Sequence, residues 1–203
     1  MSFAASLNDY SRPAPVRDVL GLAVAGPAAF GAAIGTFVGG WQIVYAALKM
    51  PLFILGTLAL CMALMMALTA SRLAPGEVLR IALRTVFTTS AVLLAIAPPI
   101  AVAGLSLPKP RGYPGMVLVL TASVAMAGVV SVVRLRRAVG STPLLISWIA
   151  IYGFVGAQVA WLLKPWIGAS MVADRFIPLD QNLHGNFYEA VWGVLVGFTR
   201  GAE

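Results

Sequence analysis

Four side chains near the end of the chain are of the types that hydrolytic enzymes use. Asp174, Asp180, His184 and Glu189 supply three carboxylates and the single histidine of the sequence. Carboxylate and imidazole groups act as general acids and bases, so this set is compatible with hydrolysis. The segment that carries them has no regular apolar pattern, however, and is more typical of a solvated loop. We assign no catalytic residue and favour a protein that is not an enzyme.

A second group of side chains has soft ligand atoms. Cys61, Met62, Met65 and Met66 lie close together in one apolar segment, and their sulfur atoms are of the kind that binds Cu(I). Cysteine and methionine are also ordinary packing residues of apolar helices, and we favour that interpretation. No phosphate-binding loop, nucleotide fingerprint or CxxC motif is present, so the sequence predicts no metal site and no cofactor.

Two amides lie within apolar segments, Gln42 and Gln158. A polar side chain surrounded by lipid needs a hydrogen-bonding partner. The two residues therefore indicate either a contact with a bound small molecule or an interhelical hydrogen bond, for example with each other. The interhelical bond is the favoured alternative.

Glycines recur at four-residue intervals in "GAAIGTFVGG", as Gly31, Gly35 and Gly39. On a helix this spacing places small residues on one face, where a neighbouring backbone can approach closely. Gly153 and Ala157 belong to a similar face further along the chain. We predict that these residues pack against a helix, either of the same chain or of another subunit.

The elements that carry all these residues are expected to be membrane helices. Of the 203 residues, 60% are hydrophobic and 10% are charged, whereas soluble domains have about 25% charged residues. The mean hydropathy is +0.92. The net charge of +7 comes from residues at the ends of apolar runs, as in membrane proteins, and we expect no nucleic acid partner. The predicted fold class is all-α, a polytopic helical bundle whose partner is the lipid bilayer.

The apolar stretch over residues 20–70 is too long for one membrane helix, since it would measure about 76 Å against a hydrocarbon layer of about 30 Å. Lys49 and Pro51 mark the expected turn. Proline suits the first turn of a helix, and lysine suits the carboxyl end of the preceding one. Lys164 and Pro165 repeat this pattern after the last span.

Five spans follow from this turn, with a short amphipathic helix expected from Asn186 onward. The segment before Pro27 is either an interfacial helix or the beginning of a longer, kinked first span. Pro98 and Pro99 are expected to kink or end the third span. The predicted spans are residues 27–48, 51–70, 81–105, 116–133 and 143–163.

The arginines are concentrated on one side of this five-span arrangement, which the positive-inside rule makes cytoplasmic. We therefore expect a cytoplasmic N-terminal segment at residues 1–20, a transmembrane bundle at 21–163 and an extracytoplasmic tail at 164–203. The expected location is the inner membrane of a bacterium.

Three stretches, "YAALKMPLFIL", "YGFVGAQVAWLLKPWIG" and "NFYEAVW", resemble a family of bacterial integral-membrane proteins whose role is not established. In that family a Lys-x-Pro turn joins the first two spans, and an Arg- or Lys-Pro-aromatic-hydrophobic-Gly element follows the last. The layout is loosely similar to that of Yip1-type bundles. The resemblance implies the fold and topology given above and implies no activity.

The expected function is that of a non-catalytic membrane subunit or scaffold, which packs against other membrane protein subunits. The alternative is a small-molecule transport component with a substrate site among the helices. A central pocket lined by Gln42, Gln158 and Pro98–Pro99 would favour transport. A dry bundle with an exposed glycine face would favour the subunit.

Overall fold

The computed structural model of the chain describes residues 16–69, 74–109, 111–139, 141–164, 166, 176–177 and 188–189. Its five long elements are all helices, and the part of the chain that is described contains no strand. The all-α fold class is therefore confirmed. In chain order the helices are α1 (Val16–Gly35), α2 (Trp41–Thr69), α3 (Pro75–Ser106), α4 (Tyr113–Val139) and α5 (Thr142–Leu162).

Four of these helices, α2 to α5, are long and apolar enough to cross a bilayer. The apolar part of α1, Leu20–Gly35, is shorter. Large apolar side chains such as Leu118 and Val129 are 70% and 63% exposed on the outside of the bundle, where they would lie against lipid. The chain is a helical membrane bundle.

Helix α1 is the central element of this bundle. It packs extensively against both α2 and α3, while α4 packs on α3 and α5 packs on α2. Its residues Phe30 and Ile34 are among the most deeply buried side chains. The order of packed helices is therefore α5–α2–α1–α3–α4, with a smaller contact between α4 and α5.

Glycine makes the close packing of α1 possible. A Cβ atom at Gly31 would collide with the backbone of Ala46, and one at Gly35 would lie 2.5 Å from the Cα of Ile43. Both of these neighbours belong to α2. Of the two alternatives for this glycine face, the structure places a helix of the same chain against it.

The predicted turn at Lys49 and Pro51 is wrong. Helix α2 runs without interruption from Trp41 to Thr69 and contains Pro51. The chain reverses instead just before α2, where Gly39 and Gly40 have φ angles of 85° and 56°. Glycine adopts this left-handed conformation readily.

The reason for continuity through Pro51 is the hydrogen bonding of the backbone. A proline removes one intrahelical hydrogen bond, whereas a turn in the apolar layer would leave several backbone groups without partners. The glycines at the end of the bundle allow the turn to be made where the first helix already stops.

Other boundaries also differ from the predicted ones. Pro27 lies inside α1, so the segment before it belongs to a longer first helix. Helix α3 continues through Pro98 and Pro99 to Ser106, so these prolines do not end it.

The tail predictions fall largely on residues outside the described part of the chain. Pro165, Asp174, Asp180 and His184 lie outside the described residues. Most of the helix expected from Asn186 also lies outside them, although the described residues 188–189 are helical. The boundaries expected at residues 20 and 163 stay predictions.

Candidate functional site

Lys49 lies well inside a membrane helix, about 12 Å along α2 from Trp41 at 1.5 Å per residue. Its side chain is only 1% exposed. Ionisable residues in the apolar layer are costly, and where they occur they commonly mark functional sites. The buried position of Lys49 therefore makes it the first candidate for a functional residue.

Helical spacing places Gln42, Tyr45, Lys49 and Phe53 along one side of α2. This side is distinct from the side that packs on α1, where Ala46 and Met50 lie next to Gly31. Gln42, Lys49 and Phe53 are buried, and described residues that follow α5 lie against this side of α2. We call Trp166 and Phe176, the two aromatic residues that make these contacts, the aromatic cover.

Trp166 joins α2 to the end of α5 through three contacts. The Gln42 Nε2 atom donates a hydrogen bond to the backbone oxygen of Trp166 at 3.0 Å. The Trp166 indole Nε1 donates to the backbone oxygen of Ala160 at 3.0 Å. Its ring also meets Phe53 edge to face, with the ring centroids 5.5 Å apart. These contacts fix the chain immediately after α5 against α2.

Phe176 covers the lysine itself. The Lys49 Nζ atom lies 5.6 Å from the centroid of the Phe176 ring, a distance at which the ring face attracts a cation. Tyr45 meets the same ring edge to face, with centroids 5.6 Å apart. The Phe176 ring thus lies over the Lys49 ammonium group, and the buried side chain is shielded from water.

A second lysine stands at the end of α5, outside the apolar part of the helix. The Lys164 Nζ atom lies 3.1 Å from the centroid of the Trp161 ring. Burial lowers the pKa of Lys164 from its ordinary value, because a partly desolvated ammonium group is less stable than a hydrated one.

The residues predicted to line a central pocket do not come together. Gln42 is buried and bonds to Trp166, whereas Gln158 is half-buried on α5. Pro98 and Pro99 are exposed on α3. The partner of the Gln42 amide is therefore the backbone oxygen of Trp166, just after α5.

The predicted packing residues occupy three different environments. Gly31 and Gly35 lie against α2, and Gly39 has the positive φ of a turn residue. At Gly153 none of the described residues has an atom within 4 Å of the position that a Cβ would take, and Ala157 is half-buried. The regular spacing in the sequence thus does not correspond to one continuous surface.

Several hydroxyl and sulfur groups are buried in the bundle. Thr89 and Ser131 join α3 to α4 through a hydrogen bond of 2.7 Å. The hydroxyls of Thr57 and Ser90 are buried and have no hydrogen-bond partner among the described residues. Cys61 is buried, and the described residues include no group of three or more His, Cys, Asp and Glu side chains that could hold a metal ion.

Sequence reasoning missed the intramembrane position of Lys49. The signal that would have revealed it is the pair Gly39–Gly40, which offers a better turn than Lys49–Pro51. With the turn placed there, Lys49 falls inside the second helix. The contacts of Trp166 and Phe176 left no pattern in the sequence, because they join residues that are far apart along the chain.

No protein-family model matches this chain, and no curated protein or solved structure matches it either.

Proposed function

We propose that the protein is a membrane component that binds a small anionic molecule beside Lys49, as part of a transport or uptake system. The observation that carries this proposal is the burial of Lys49 inside a membrane helix, beneath side chains contributed by the segment after α5. A cation in this position can attract an anion strongly, because the surroundings are poor in water.

The surroundings of Lys49 favour a flat, partly apolar anion. Phe176 offers a ring surface next to the ammonium group, and Tyr45 packs edge to face on that ring. The Gln42 amide lies on the same side of α2. Ligand sites typically combine apolar and aromatic walls with a few polar groups that fix orientation. The proposed substrate class is an aromatic or similarly planar monocarboxylate.

A thermal-unfolding experiment on the purified protein tests this proposal. Benzoate is the probe, and benzamide is the control, since it has nearly the same shape without the charge. A ligand that binds only the folded state raises the unfolding temperature. We expect benzoate to raise the unfolding temperature of the wild-type protein, and benzamide to leave it nearly unchanged.

The matched variants are Lys49→Met, which keeps a similar length without the charge, and Lys49→Arg, which keeps the charge. The benzoate effect should disappear in the first and persist at least partly in the second. An equal response to benzoate in Lys49→Met and the wild type would contradict the proposal, as would no response in the wild type to benzoate. Inorganic phosphate in place of benzoate tests whether a compact anion is preferred.

The proposed location is the inner membrane of a bacterium, with the beginning of α1 on the cytoplasmic side. The support is the charge distribution at the helix ends. Arg72 lies in the connection between α2 and α3, and Arg80 lies near the beginning of α3. Arg134 and Arg136 lie near the end of α4, whereas the connection between α3 and α4 carries Lys109 and Arg111. Topology reporters fused after Gly40 and after Arg72 should report the outside and the inside, respectively. The same side for both would contradict this orientation.

The second candidate function is the membrane subunit expected from the sequence. The observation in its favour is Gly153 on α5, whose Cβ position is not approached by any described residue, so that another helix could approach closely. A partner subunit at this position would be lost when Gly153 carries a large side chain.

A further inference from the structure

Two adjacent prolines in α3 leave two backbone carbonyls without their ordinary partners. In an α-helix each carbonyl accepts a hydrogen bond from the amide four residues later, and proline has no amide hydrogen. Pro98 and Pro99 lie within the continuous helix α3. The carbonyl groups of Leu94 and Ala95 therefore lack their intrahelical donors.

These carbonyls belong to the outward side of α3. Leu94 is 38% exposed, and Ala95, Pro98 and Pro99 are also exposed. The opposite side of the helix holds buried residues and packs on α1 and α4. Nothing in the described part of the chain covers this surface, which we call the proline face.

The proline face lies near the middle of the apolar layer. The apolar stretch of α3 lies between Arg84 and the end of the helix at Ser106. Arg84 is about 15 Å from Leu94, and Ser106 is about 17 Å from Ala95, at 1.5 Å per residue. Lipid chains have no hydrogen-bond donors, and water is scarce at this depth. A carbonyl pair exposed here needs a donor from another protein group.

The two other prolines inside helices have different surroundings. Pro27 in α1 and Pro51 in α2 are both buried within the bundle. Next to Pro27, Gly26 lies against the backbone of Ser90 in α3. Neighbouring helices of the same chain therefore cover these two sites, and the proline face is the site that the described chain leaves open.

We propose that the proline face binds a transmembrane helix of a different membrane protein, which donates hydrogen bonds to the carbonyls of Leu94 and Ala95 from a hydroxyl, amide or indole side chain. Ala95 is small enough to let another backbone come close. This inference is independent of ligand binding at Lys49, since it uses a separate surface.

A second copy of the chain is a poorer match for this face. In a symmetric dimer the proline face would meet itself. Its residues at this depth, which are Ala91, Leu94, Ala95, Pro98 and Val102, have no side-chain donor. The carbonyls would remain without partners, so a different chain is the occupant we infer.

Site-specific photo-crosslinking of the full chain in its native membrane tests this inference. A benzophenone amino acid is placed at Ala95, and at Met126 as the control, which is 45% exposed near the middle of the span on α4. We expect the Ala95 probe to link to a transmembrane segment of another protein that has Ser, Thr, Asn, Gln, Tyr or Trp at the level of the link. The Met126 probe should link mainly to lipid.

The double substitution Pro98→Ala and Pro99→Ala, made in the chain that carries the Ala95 probe, tests the role of the carbonyls. It restores both amide hydrogens, so the carbonyls no longer need an external donor. The yield of the Ala95 crosslink should fall about three- to tenfold, which corresponds to the loss of one or two interhelical hydrogen bonds, while the amount of protein in the membrane is maintained.

Three results would overturn the inference. They are linkage of the Ala95 probe to lipid alone, linkage to a second copy of this chain, and linkage to a segment without a donor at that level. An unchanged crosslink in the double alanine variant would also overturn it, because the contact would then not depend on the freed carbonyls.

Discussion

Glycines of α1 and of α5 share a helix-packing pattern in the sequence but have opposite surroundings. A Cβ at Gly31 on α1 would meet the Ala46 backbone and the Met50 side chain, whereas one at Gly153 on α5 would meet no atom within 4 Å in the part of the chain that the structure describes. Small residues at regular spacing therefore predict that a neighbouring helix backbone can approach closely. They do not predict which helix makes the approach.

The position of each helix in the bundle explains the difference. Helix α1 lies between α2 and α3, so its faces are covered by two neighbours, while α5 has its main contact with α2. Helices in lipid associate through close van der Waals contact rather than through burial of apolar surface from water. The helix with two large contacts therefore has the greater need for glycine.

Among the substitutions that test this difference between α1 and α5, we expect Gly31→Ala to destabilise the protein most. The added methyl group collides with the α2 backbone, which cannot move without separating the two helices. Overpacking of this kind costs about 1–3 kcal/mol, more than the gain of up to about 1 kcal/mol from the better helix propensity of alanine. Thermal unfolding of the purified protein should show a lower transition temperature.

Gly128→Ala is the matched control for this substitution. Gly128 lies on α4, and its Cβ position has no atom of a described residue within 4 Å, so only the helix-propensity gain remains. This variant should be as stable as the wild type or slightly more stable. Equal stability of the two alanine variants would show that the contact between α1 and α2 is looser than described.

A smaller effect on stability is expected from Gly153→Leu, because the new side chain would point into open space on α5. The free energy of unfolding should change by less than about 0.5 kcal/mol, as for exposed substitutions elsewhere. The same variant tests the subunit hypothesis on a native gel. Loss of a larger complex at a normal membrane level would support a partner on α5, and unchanged migration would contradict it.

The prolines, like the glycines, have surroundings that their local sequence does not predict. Pro51 was expected to begin a new helix, but it lies buried inside α2 next to other helices of the chain. Pro98 and Pro99 were expected to kink or end a span, and α3 continues through them with both residues exposed. Losing one hydrogen bond at Pro51, or two at Pro98 and Pro99, costs less free energy than a turn in the apolar layer.

At the candidate site, the sequence predicted the role of Gln42 in part and the position of Lys49 incorrectly. The buried amide of Gln42 was recognised as a residue in need of a partner, and its partner is the backbone oxygen of Trp166. Lys49 was assigned to a turn because a lysine followed closely by a proline is typical of a helix boundary. The misplaced turn alone kept the lysine from being recognised as an intramembrane charge.

The sequence is sufficient to predict a bundle of apolar helices in a membrane. Its charged residues are too few to form a water-facing surface, and its apolar runs are long enough to cross the hydrocarbon layer. The tertiary structure decided the place of the first turn, the covering of Gly31 and Gly35 by α2, and the enclosure of Lys49 by Phe176. The physical reason is that a span is specified by local composition. The helix that packs on each face depends instead on contacts between residues far apart in the sequence. Such contacts have no periodic pattern along the chain.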